Sequence, residues 1–147
     1  GLKVSVMDLP AMAATAAKYV ADAGMSERIV TIGGDMFALP WPQGSDAHFF
    51  SEIFHDWNEE TCLAIARNSY ASLPSGGRIV LHEMLVDDDL CGPWVPAAFS
   101  LVMLLRTLGK QYSFAELRDI LAEAGFTNIG SERRGDNHFS LVTGSKP

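Results

Sequence analysis

The feature that most constrains this chain is its rhythm, in which short apolar runs alternate with longer stretches of helical periodicity. Lys3-Val4-Ser5-Val6-Met7 is a strand-like run ending at Asp8, and residues 10–21 follow with Ala13, Ala16, Ala17, Val20 and Ala21 at helical spacing. Ile29-Val30-Thr31-Ile32 is the next strand-like run. A strand that returns to its sheet through a helix pairs in parallel, so the alternation predicts an α/β fold with a mostly parallel sheet.

The punctuation fits that frame. Pro10 suits the first turn of a helix, where its missing N–H is not needed, and Gly24 suits the stop. Gly33-Gly34-Asp35 closes the second strand, a Pro40-Trp41-Pro42 loop follows, and residues 47–54 read as a third strand. Asn58 is placed to cap a helix reaching about Leu73, with Glu59 and Glu60 at its positive end. Leu73-Pro74-Ser75-Gly76-Gly77 is a turn into a strand over residues 78–85. Asp87-Asp88-Asp89 reads as a solvated loop, and a helix runs from near Pro96 to Thr107. Ser113 and Glu116 have capping-box spacing ahead of a helix with an apolar stripe of Phe114, Leu117, Leu121 and Ala124, ended by Gly125. Residues 128–133 and 138–143, around Gly135-Asp136-Asn137, predict a closing antiparallel hairpin.

Bulk properties exclude more than they select. A chain of 147 residues suits one domain, and 48% hydrophobic with 20% charged residues is ordinary for a globular protein. The net charge of -7, with basic residues scattered apart from Arg133-Arg134, argues against a nucleic-acid partner, which needs a basic face. Cys62 and Cys91 are isolated, so no disulfide framework is expected and a cytoplasmic setting is the default, with Cys62 a buried thiol on a helix. No apolar run approaches the about 20 residues that span a bilayer, and no secretory signal opens the chain. Gly1 leads directly into a strand without an initiator Met, which reads as an internal cut.

Candidate chemistry gathers at strand ends. A carboxylate there can accept hydrogen bonds from both hydroxyls of a ribose, which makes Asp8 and then Asp35 candidates, although each also reads as an ordinary turn former. His55 directly follows an apolar run, so its imidazole is expected at the sheet edge, where a neutral ring can take a proton from a hydroxyl. Strand alternation sends His82 and Glu83 to opposite faces. A carboxylate reaching His55 would fix its tautomer and stabilise the imidazolium. His48, His55, His82 and His138 show no paired metal-ligand spacing, so no metal site is expected.

Val6-Met7-Asp8-Leu9-Pro10, Gly34-Asp35-Met36-Phe37, Phe54-His55-Asp56-Trp57, the run from Leu73 to Glu83, residues 100–113 and Ala124-Gly125-Phe126-Thr127 occur in an order that resembles the plant and bacterial small-molecule O-methyltransferases. The resemblance spans essentially the whole chain, and bacterial members acting on polyketides, carotenoids and chlorophyll-type pigments are nearest in kind. It implies a Rossmann-like class I methyltransferase sheet, mostly parallel with an antiparallel C-terminal hairpin. Residues 1–147 would then be the C-terminal portion of one catalytic domain, without its first strand, its glycine loop and an N-terminal dimerisation domain.

The resemblance further implies S-adenosylmethionine as cofactor, with Asp8 on the ribose, Leu9 near it, Asp35 and Met36 at the adenine, Phe37 packed close by, and Ser51 as a further contact. His55 would be the general base and Glu83 its orienting partner. Trp57, Met84, Phe99, Met103 and Leu104 would shape an apolar pocket for a small hydroxylated acceptor. The full-length protein would be a homodimer. One departure stands out: in Gly109-Lys110-Gln111-Tyr112-Ser113, Gln111 replaces a second acid common in the family, which leaves the base to Glu83 alone. Alternatives are a family member that methylates carbon or nitrogen, a nicotinamide-dependent dehydrogenase using Asp8, and a non-catalytic methyltransferase-like partner.

Overall fold

The computed structural model describes residues 1–38, 41–133 and 138–147, so Pro40, Arg134 and the expected Gly135-Asp136-Asn137 turn lie outside the described residues. The chain divides into two compact units, Gly1–Trp41 and Pro42–Pro147.

In the first unit β1 (Val4–Asp8) and β2 (Ile29–Gly33) pair in parallel, from Val4↔Ile29 to Asp8↔Gly33. They are joined by α1 (Pro10–Asp22), which begins on the expected proline. Gly24, at φ 65°, turns the chain after α1 in a conformation that Cβ-bearing residues rarely adopt. Gly33 lets the start of α1 lie against β2, since a Cβ on it would come 3.1 Å from the Pro10 Cα. Sequence alternation and parallel pairing agree in this unit.

The second unit is a four-stranded sheet in the order β3-β4-β6-β5, built from β3 (Ala47–Ser51), β4 (Arg78–Met84), β5 (Thr127–Arg133) and β6 (Phe139–Ser145). β3 and β4 are parallel, whereas β6 runs antiparallel to both β4 and β5, as the hairpin pattern requires. The connecting helices are α2 (Glu59–Ser72), α3 (Trp94–Arg106) and α4 (Phe114–Glu123). Asn58 caps α2 by accepting from the Thr61 N–H at 3.0 Å. Ser113 and Glu116 form the reciprocal capping box of α4. Ile65 and Ala66 of α2, Ile79 and Leu81 of β4, Leu117 and Leu121 of α4 and Val142 of β6 are fully buried. One side of β4 thus packs into the core while Arg78, Val80 and His82 face the other way.

One expected boundary is wrong in an instructive way. The third strand stops at Ser51 and does not continue to Phe54, because Glu52 adopts φ 55° and Phe54–Asp56 coil into a 3₁₀ turn. Hydrophobicity alone could not tell a strand from a buried turn here: Phe54 is completely buried, but in the turn. Among the described residues no helix is long and apolar enough to cross a membrane.

Candidate active site

The turn that carries His55 is held by a carboxylate from the neighbouring strand. Glu83, 2% exposed near the end of β4, accepts the backbone N–H groups of Ile53 and Phe54 on Oε1, at 3.0 and 2.9 Å. Its Oε2 lies 3.1 Å from His55 Nδ1. One side chain therefore stops the chain from extending beyond β3, satisfies two turn donors and engages the imidazole. A carboxylate taken from water needs such partners, since an unpaired buried charge costs several kcal/mol, on the order of the penalty for breaking a buried pair.

His55 itself is 6% exposed, and its ring meets Phe99 of α3 edge-on at 5.9 Å between centroids. Nε2 points toward Asp56, whose carboxylate is 3.7 Å away, too far for a hydrogen bond, on a side chain that is 41% exposed. Burial pulls the imidazole pKa down, and the hydrogen bond and charge of Glu83, with Asp56 and Glu52 adding, more than reverse that, so it lies above its ordinary 6.5. Nδ1 is thus engaged by Glu83, and Nε2 has only the 3.7 Å approach of Asp56, a geometry in which a neutral ring can accept a proton at Nε2.

A segment ahead of α4 backs this turn. Tyr112 donates its hydroxyl to the Trp57 carbonyl at 2.7 Å, and the Leu108 N–H donates to the Asp56 carbonyl at 3.2 Å. Gly109 lies flat against the turn: a Cβ there would sit 2.1 Å from the His55 carbonyl oxygen and 2.6 Å from the Trp57 nitrogen. Cys62, fully buried as expected, donates its thiol to the Phe54 carbonyl at 3.2 Å, and burial pushes its pKa up to about 12, so it is a structural thiol. The same segment brings the Gln111 amide nitrogen to 3.2 Å from His55 Nδ1. Gln111 thus reaches the same ring nitrogen as Glu83, as a neutral group beside the one carboxylate there. Sequence reasoning named Gly109 and Tyr112 only as neighbours of Gln111 and gave them no part in holding the turn; the signal was a glycine and polar residues directly before a capping box.

The remaining expected residues fall as follows. Asp8 ends β1 with an exposed carboxylate whose Oδ1 accepts the Leu9 N–H at 2.7 Å, and Leu9 is 58% exposed. Asp35 Oδ1 accepts the Phe37 N–H at 2.9 Å, the Met36 carbonyl takes the Trp41 indole N–H at 2.8 Å, and the Phe37 ring is exposed. Ser51, exposed at the end of β3, shares a 2.9 Å hydrogen bond with His82 Nδ1. His82 stacks on Phe139 on the face opposite Glu83. Trp57 is half-buried, Met84 and Met103 are buried, Phe99 touches the His55 ring, and Leu104 is 71% exposed.

Comparison with known proteins gives one consistent result. A family model described as the O-methyltransferase domain matches residues 1–127. The chain is 42% identical over 132 residues to the 3-hydroxy-5-methyl-1-naphthoate 3-O-methyltransferase of Streptomyces sahachiroi, covering 90% of this chain and 38% of that protein. It is 32% identical to the L-tyrosine C(3)-methyltransferase of Streptomyces lavendulae over 127 residues, which is 85% of this chain and 35% of that one. The structure of human N-acetylserotonin methyltransferase in complex with SAM superposes with a TM-score of 0.90 at 28% identity, covering 98% of this chain and 40% of that chain. The chain therefore spans about two fifths of the length of these proteins.

Proposed function

This chain belongs to the O-methyltransferase domain family, and on that premise we propose that it is the C-terminal part of an enzyme that methylates a hydroxyl of a small aromatic or polyketide-like acceptor, with His55 as general base. The observation that carries the reading is the buried Glu83–His55 pair, 3.1 Å apart, with the imidazole's other nitrogen uncommitted. S-adenosylmethionine, when bound, supplies a methyl on a positively charged sulfur that leaves as a neutral thioether. Little covalent work then falls to the protein, which has to place the acceptor oxygen and take its proton. His55 Nε2 would accept that proton from the acceptor hydroxyl, and Glu83 would stabilise the resulting imidazolium through Nδ1–H.

The residues assigned to the cofactor have fitting chemistry. The exposed Asp8 carboxylate at a strand's C-terminal end suits paired ribose hydroxyls, and the exposed Phe37 ring suits a flat purine. Asp35 has one oxygen committed to its own turn, which leaves the other for a ligand donor. Phe99, edge-on to His55, is the member of the acceptor set best placed to set the approach of an apolar ring. We also assign the full-length enzyme a homodimeric state, held through the N-terminal dimerisation domain that the family resemblance implies. Sedimentation of the full-length protein as a monomer would overturn that assignment.

His55→Ala in the full-length enzyme is expected to lower turnover by roughly 10²–10⁴, the usual contribution of a general base. Unchanged turnover removes the base role. A second reading is favoured by the relationship to the C-methylating enzyme: an ionised phenol is nucleophilic at ring carbon as well as at oxygen, and the same base serves both. Proton NMR of the product separates a methoxy from a ring-methyl signal.

A further inference from the structure

Two polar side chains converge on one nitrogen of His55, and they make opposite demands. Nδ1 lies 3.1 Å from Glu83 Oε2 and 3.2 Å from the Gln111 amide nitrogen. Gln111 is 2% exposed, and its Oε1 is buried without a partner among the described residues. A ring nitrogen cannot donate to a carboxylate and accept from an amide in the same state. If Nδ1 is bare, the amide is satisfied but a buried carboxylate oxygen faces a lone pair. If Nδ1 holds the proton, the carboxylate receives a charge-assisted hydrogen bond, roughly twice as strong as a neutral one. The second state wins on magnitude, and it wins for both charge states of the ring, since imidazolium also carries a proton on Nδ1.

What is left is an amide N–H aimed at a ring N–H, a conflict that is easy to relieve. The two ends of a glutamine amide differ in hydrogen bonding and hardly at all in shape, so a half-turn brings Oε1 to the ring proton. We propose that Gln111 is a positioning residue that presents its amide oxygen to His55 Nδ1–H, sharing that proton with Glu83 and confining titration to Nε2. The proposal rests on the reading of His55 as base and adds to it a neutral second acceptor.

The surroundings say why neutrality matters. The charged groups around the ring are Glu83 from β4, Asp56 on the turn itself and Glu52 just before it. Helix α3 contributes the apolar Phe99, and in the segment ahead of α4 the Lys110 ammonium is engaged by Glu59 and Glu116. Acids already dominate. A second carboxylate on Nδ1 would hold the base protonated to higher pH, whereas an amide fixes the tautomer without adding charge. Gln111 is itself anchored, its backbone N–H donating to Ser100 Oγ at 3.1 Å.

The test is nitrogen-15 NMR of the imidazole rings in the full chain, followed through a pH titration. The proposal expects the neutral His55 ring to carry its proton on Nδ1. It also expects Gln111→Glu to move the His55 midpoint up by about one pH unit, the lower end for an added charge within hydrogen-bond reach. A neutral ring protonated on Nε2 overturns the proposal, as does a Gln111→Glu midpoint equal to wild type. If that variant does not fold, Gln111→Leu, which removes the amide acceptor without adding charge, decides instead: a His55 midpoint equal to wild type overturns the proposal, and a lower one supports it. The readout is the ring's own titration, so it succeeds or fails independently of turnover in His55→Ala.

Discussion

His55 sits where burial and neighbouring carboxylates act in opposite directions, so its behaviour depends on single groups nearby. Its pKa is raised in the folded protein: burial lowers it, and Glu83 first, then Asp56 and Glu52, raise it by more. A raised value means that folding takes up a proton, so the stabilisation is full below pH 6.5 and is lost as pH rises through the folded midpoint. Glu83→Gln is expected to remove that window. The stability gap between wild type and Glu83→Gln, read from denaturant midpoints, should therefore widen as pH falls through the folded midpoint to 6.5, and parallel curves would contradict the pairing. For catalysis the sign is opposite, because the base works deprotonated: kcat/KM should rise through a midpoint above 6.5, and Glu83→Gln should shift that limb toward lower pH.

At the scale of elements, the 3₁₀ turn is clamped between β4 and the segment before α4. Glu83 ties it from one side, and Leu108, Gly109 and Tyr112 from the other. Gly109→Ala places a methyl into backbone that cannot move without losing those bonds, with a loss of about 3 kcal/mol, the upper range for a point change. Chemical denaturation of the variant measures it, and a loss below about 1 kcal/mol would mean the segment gives way easily. Ser113→Ala removes the cap of α4 in the same region and should cost about 1 kcal/mol by the same measurement.

On the scale of the molecule, Asp8, Leu9, Asp35, Met36 and Phe37, most of the residues assigned to cofactor, belong to the first unit. The chain spans about two fifths of its relatives' length. If the glycine loop assigned to the remainder cradles the methionine half of the cofactor, this chain alone should bind S-adenosylmethionine more weakly than the longer protein. Calorimetric titration of both checks this, and equal affinities would show the loop to be dispensable.

Much of this was legible in the residues themselves. Asn58, the Ser113–Glu116 box, Gly24, Gly125 and the alternating strands act over a few positions, so local propensity and periodicity determined the helices, most strand positions and the parallel-then-antiparallel order. Motif order pointed to His55 and Glu83. The end of β3, the close approach of Gly109 and the second group on Nδ1 depend on atoms 29 to 56 positions apart meeting at hydrogen-bond distance, as Phe54 meets Glu83 and His55 meets Gln111. Such contacts leave no period in a sequence. They exist only once the sheet has brought β4 beside β3 and the segment before α4 has closed on the turn, and the tertiary structure alone decided them.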